Sequence, residues 1–156
     1  MTKQVLSEHD RLRLILEAVL YCKNVKKLGM PVSCYSKALR EPIHFLWERY
    51  LVPKRQAAKY ISKKAAQIQN VSGKTIYDHS IPFIYLQNKL LSLNQPNTDN
   101  IKKLLDKYTL TTIITKDENT ILNKELKSKM PNNWDGKNPL ARYDSVGIDV
   151  VKNVTK

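Results

Sequence analysis

The chain is short of glycine, cysteine and acidic side chains, and each shortage excludes something. Its two cysteines, Cys22 and Cys34, form no C-x-x-C pair, and no others exist to complete a zinc site. Cys22 falls within a helical apolar pattern and reads as a buried free thiol. Nothing in this usage calls for an oxidising compartment. Among four glycines there is no G-x-x-x-x-G-K-[ST] loop, since Gly73-Lys74 stands alone, and this excludes a P-loop NTPase. The absence of G-x-S-x-G excludes the nucleophile elbow of an α/β-hydrolase. No apolar run reaches the length of a membrane span, about 18 residues. The stretch Met1 to Asp10 is polar and lacks the apolar centre of a secretion signal, so a cytoplasmic protein is expected.

What is present is a foldable composition with a strong electrostatic bias. Hydrophobic residues make up 42% of the chain and charged residues 26%, enough for a packed core without staples. Lys and Arg number 27 against 14 acidic residues, a formal net charge of +13. A field of that sign draws polyanions, of which nucleic acid is the commonest and an anionic membrane surface the alternative.

Apolar spacing gives the elements. Ser7, with Asp10 three residues on, reads as a helix start. Leu12, Ile15, Leu16, Val19 and Leu20 carry that helix to about Lys27, and Gly29 stops it. A second helical segment covers Tyr35 to Tyr50, with Pro42 as a kink. A third is predicted from Pro53 to Ile68, its stripe made by Ala57, Ala58, Ile61, Ala65 and Ile68. In that helix Arg55, Lys59 and Lys63 share a face, with Lys54 and Lys64 beside them. The ridge suits a phosphate backbone, or it is a solvated face.

After Val71-Ser72-Gly73 the pattern changes. Lys74 to Tyr77 reads as a strand leading into Asp78-His79. Pro82 opens a helix with Phe83, Leu86, Leu90 and Leu91; a shorter helix follows from Asp99 to Tyr108. Leu110 to Thr115 is the clearest strand, and Thr115 with Glu118 forms a capping box for a helix over 116–127. From Met130 onward the chain reads as an irregular tail with aromatic anchors. There Arg142 beside Tyr143 clamps nucleic acid, or Trp134 and Tyr143 simply pin the tail to the core.

Three histidines are available for proton chemistry. His9 reads as exposed, and His44, among Ile43, Phe45 and Leu46, as a core or interface residue. His79 follows an aspartate at a strand end, with Ile81-Pro82 just beyond. A neutral imidazole can take a proton from water near pH 7, and an aspartate suits a hard divalent ion.

Asp78-His79-Ser80-Ile81-Pro82 resembles the Asp-His-x-x-Pro opening of the HNH, or ββα-metal, nucleases. Ile113 to Asn119 resembles that family's second strand running into its metal-binding helix, and the likeness spans residues 74–127. The resemblance implies a general base at His79 and a metal held by Asp78 and Asn119, with Asn123 one turn on. The middle position of the triplet stays open among Asn88, Asn94, Asn97 and Asn100. Asn and Glu stand where toxin DNases carry His, which favours Mg²⁺ or Mn²⁺ over Zn²⁺.

The expected fold is α+β, mostly helical, with a small ββα-metal-like unit. A basic helical region would span residues 1–73, the HNH-like unit with a helical insertion 74–129, and the tail 130–156. The expected function is metal-dependent endonucleolytic hydrolysis, DNA being the expected substrate, by a protein that docks through Lys54, Arg55, Lys59, Lys63, Lys64 and Arg142. A homodimer is expected by analogy, because one site cuts one strand at a time. The alternative is a non-catalytic nucleic-acid-binding regulator on a degenerate HNH-like fold.

Overall fold

The computed structural model describes residues 4–69 and 72–154. The fold is α+β and mostly helical, with 53% helix and 11% strand. The elements are α1 (Glu8–Lys27), α2 (Ser36–Ile43), α3 (Lys54–Ala57), β1 (Tyr60–Ser62), α4 (Lys63–Ala66), β2 (Thr75–His79), α5 (Phe83–Leu91), α6 (Thr98–Tyr108), β3 (Thr111–Thr115), α7 (Lys116–Glu125), α8 (Ala141–Ser145) and β4 (Val150–Lys152). Among the described residues no helix is long and apolar enough to cross a membrane.

The chain divides into two compact units, each drawing on two stretches of sequence: residues 1–51 with 86–107, and residues 52–85 with 108–156. The first unit is helical. Ser7 accepts from the Asp10 amide at 3.0 Å and starts α1, which ends at Lys27 before Gly29, whose φ is +79°. Leu12, Ile15, Val19 and Cys22 form its buried stripe, and α1 packs on α2, which buries Leu39 and Ile43. After Pro42 the helix loosens into a π turn over His44–Glu48, where His44 Nδ1 lies 3.0 Å from the Glu48 carboxylate. Arg11 reaches the Leu46 carbonyl and lies over the Tyr50 ring at 4.4 Å. The loop before α6 is closed by Asn97 and Asn100, each side chain accepting from the other's amide.

The second unit is built on a four-stranded mixed sheet in the order β2-β3-β1-β4. β2 runs antiparallel to β3, β3 parallel to β1, and β1 antiparallel to β4. Because strand side chains alternate, each sheet face has its own core. On one face Ile114, Leu122, Leu126, Tyr143 and Ile148 cluster, with Ile76 and Val150 against them. On the other, Ala58, Ile61, Ala65 and Ile113 cluster, with Tyr77 against them.

Three expectations are corrected here. The predicted helix over 53–68 does not form. It breaks at Ala58, which is extended, and gives way to β1, because pairing with β3 and β4 outweighs a weak local helical preference. The Lys59 amide donates to Thr111 and its carbonyl accepts from Asn153, so Lys59 belongs to the sheet. The region read as ending at residue 73 therefore contributes its residues 52–73 to the second unit. The tail read as irregular carries α8 and the edge strand β4.

Candidate functional site

Asp78 and His79 close β2, an edge strand, in register with Thr112 and Thr111 of β3. β3 runs directly into α7, whose first turn is fixed by the capping box of Thr115 and Glu118. The Glu118 carboxylate is buried and also accepts from Ser62 Oγ at 2.6 Å, so one side chain fastens the start of α7 to the end of β1. Two antiparallel strands and a following helix are thus in place, with the Asp-His pair at the end of the first strand.

Alternation along β2 sends Asp78 and His79 to opposite faces. Asp78 points to the α7 face. There its Oδ2 accepts from the Arg142 guanidinium at 3.0 Å and from the Tyr143 hydroxyl at 2.6 Å. Arg142 also donates to the carbonyls of His79 at 2.6 Å and Leu126 at 3.0 Å, so its guanidinium ties the end of β2 to the end of α7. Tyr143 is buried, and burial together with the Asp78 charge pushes its hydroxyl pKa well above the ordinary tyrosine value. Asp78 Oδ2 thus joins Arg142 and Tyr143 in one polar group at the end of β2. On the neighbouring strand Thr112 Oγ1 lies 2.9 Å from Ser80 Oγ.

His79 points to the other face. Its ring meets Tyr77 edge-on, with centroids 6.2 Å apart, and it is half-buried. Lys54 Nζ lies 5.9 Å from the centre of the Tyr77 ring, so Lys54, Tyr77 and His79 form a row along β2.

The other expected site residues are scattered. Asn119, half-buried, and Asn123, exposed, both stand on α7. Asn88, Asn94, Asn97 and Asn100 belong to the first unit. Lys54 and Arg55 lie on α3, while Lys63 and Lys64 lie on α4, beyond the strand that interrupts the expected ridge. Lys63 pairs with Asp149 at 3.3 Å on the surface. Arg142 is only 1% exposed, so its guanidinium is enclosed by protein acceptors and is not presented to nucleic acid as expected. Of the two roles the sequence leaves open for this segment, Tyr143 takes the one that pins the tail to the core, but the sequence does not identify the partner of Arg142. That partner lies 64 residues away, and no local pattern connects the two.

Among the described residues no three His, Cys, Asp or Glu side chains gather to hold a metal. The donors that the HNH resemblance implies are one carboxylate and asparagine carbonyls, an oxygen set suited to Mg²⁺ or Mn²⁺. The structure is compatible with Asp78 in that role. Both donors that hold it fall on Oδ2, an arrangement that orients a ligating carboxylate. No family model matches this chain, and no match was found among curated proteins or solved structures.

Proposed function

We propose that the protein is a nucleic-acid-binding phosphodiesterase of the HNH type, cutting DNA endonucleolytically with His79 as general base. One observation carries the reading: β2, ending in Asp78-His79, pairs antiparallel with β3, which passes without a linker into α7. This is the ββα order that the Asp-His-x-x-Pro opening implies, and the net charge of +13 supplies the affinity for a polyanion.

The chain's residues divide the work. His79 accepts the proton of the attacking water. Arg142 and Tyr143 hold the Asp78 carboxylate in one orientation. Asp78, with Asn119 and Asn123, would hold a divalent ion. When bound, the ion supplies charge stabilisation to the phosphorane and the departing 3′-oxygen. Because β2 is an edge strand, groups on its two faces can both address a phosphodiester set against that edge.

A second reading has its own observation. The Arg142 guanidinium already neutralises Asp78, which suits a nucleic-acid-binding regulator that keeps the fold without the hydrolysis. Incubating supercoiled plasmid with the protein in Mg²⁺ or Mn²⁺ separates the two. Nicking that stops in EDTA and in His79→Ala supports the nuclease. No cleavage of plasmid, single strands or RNA, with binding retained, assigns the regulator.

A further inference from the structure

Beside the first half of β2, a surface groove of about 360 Å³ is lined by Lys54, Arg55, Thr75, Ile76, Tyr77 and Ile113. Two cationic side chains from α3, Lys54 and Arg55, line it together with residues of β2. The walls are rigid for a physical reason. Ile113 belongs to the packed cluster with Ala58 and Ile61, against which Tyr77 also packs. The α3 backbone is fastened as well, because the Asn153 side-chain amide donates to the carbonyls of Arg55 and Ala58 at 2.7 and 2.9 Å.

Arg55 provides the second observation. Its Nη1 is buried yet has no hydrogen-bond partner among the described residues. A buried guanidinium nitrogen without an acceptor is costly, and most such groups in folded proteins are paired. The same side chain lines an open groove, and its guanidinium would meet a ligand oxygen there by turning this nitrogen outward. The chemistry that fits is an anion with several oxygens, matched to the fork of a guanidinium and to the neighbouring Lys54 charge. The row from Lys54 through Tyr77 to His79 sets the direction in which such a ligand would extend.

We propose that this groove binds a backbone phosphate of the nucleic acid, with Arg55 as the principal contact and Lys54 as the second. This deepens the phosphodiesterase reading by naming where the strand is held relative to His79. It differs from a continuous lysine ridge, because Lys59 and Lys63 take no part. Arg55 and Lys54 act as positioning residues, placing the next phosphodiester along β2 toward His79.

Binding of a fluorescein-labelled oligonucleotide, followed by anisotropy in EDTA over a salt series, tests the groove without requiring cleavage. Arg55→Gln is expected to weaken binding about tenfold, as a lost charge-assisted contact would. It should also flatten the slope of log affinity against log salt by about 0.7–0.9. Lys54→Gln is expected to act in the same direction but less strongly. Arg55→Lys, which keeps the charge but not the fork, is expected to fall between wild type and Arg55→Gln. Lys124→Gln, an equal loss of charge at an exposed position on α7, is expected to change binding less than twofold. Thermal melts establish that each variant is folded. The proposal is overturned if Arg55→Gln and Lys124→Gln weaken binding equally, or if neither weakens it. Plasmid cleavage by the wild-type protein is scored separately. Cleavage with an Arg55→Gln variant that binds normally removes the groove and leaves the nuclease. Absent cleavage with Arg55→Gln impaired in binding removes the nuclease and leaves the groove.

Discussion

The hydroxyl of Tyr143 donates to the Asp78 carboxylate across 2.6 Å, on the same oxygen that accepts from Arg142. Neighbours in sequence thus meet one strand residue more than sixty positions earlier, and α8 is held to β2 by charge as well as by apolar packing.

This contact makes stability sensitive to alkali. The folded protein holds Tyr143 protonated to a higher pH than the unfolded chain does. Stability from this group is therefore complete below the unfolded tyrosine value, about 10, and is lost as pH rises through the folded value. Tyr143→Phe is expected to cost about 1 kcal/mol at neutral pH through the lost hydrogen bond, and to flatten the decline above pH ~10. Urea midpoints measured at neutral and alkaline pH check both effects; an unchanged alkaline slope in the variant would refute the assignment.

Arg142→Met keeps much of the side-chain volume while removing the charge and three hydrogen-bond donations. It leaves a mostly buried Asp78 carboxylate without its counter-charge. A loss of about 3–5 kcal/mol is expected, readable by urea denaturation. The double variant Arg142→Met with Asp78→Asn should recover part of that loss, since no orphaned charge remains.

The α7 cap is a second weak point. Thr115→Ala removes the oxygen that accepts the Glu118 amide, and about 1 kcal/mol of stability should go with it. Glu118→Ala should cost more than Thr115→Ala, because it also strands the buried Ser62 hydroxyl. Equal losses in the two variants would argue against the link between α7 and β1.

The cysteines should differ in reactivity. Burial raises the Cys22 thiol pKa, and its Sγ lies 3.4 Å from the Tyr35 carbonyl, whereas Cys34 is exposed. Titration with a disulfide reagent should label one thiol in native protein and two in denaturant. Two fast thiols in native protein would contradict the packing of α1.

Much of the helical structure was legible because its signals are local. Ser7 with Asp10 and Thr115 with Glu118 fix helix starts within four residues, and both form as read. The Thr111–Thr115 strand announces itself by β-branched residues. What escaped depends on partners distant in sequence. Tyr60-Ile61-Ser62 lies in a stretch with helical spacing and becomes a strand only because Thr112, Ile113 and residues 150–152 pair with it. The Asp-His pair could be singled out from sequence, but the guanidinium and phenol that hold the aspartate could not. The orphaned Arg55 nitrogen, similarly, is a fact of packing that composition does not carry.

The interleaving of the two units bears on how the chain is made. A ribosome releases residues 60–62 well before 111–113 and 150–152, so β1 must wait for both of its neighbours. The first unit is interrupted in the same way, since its 86–107 segment emerges only after part of the second unit. Contacts of such long sequence separation slow folding and keep unpaired strand edges exposed while synthesis proceeds. A nascent chain stalled before residue 150 would carry β1 with one edge unsatisfied, and is the species on which a chaperone would be expected to act.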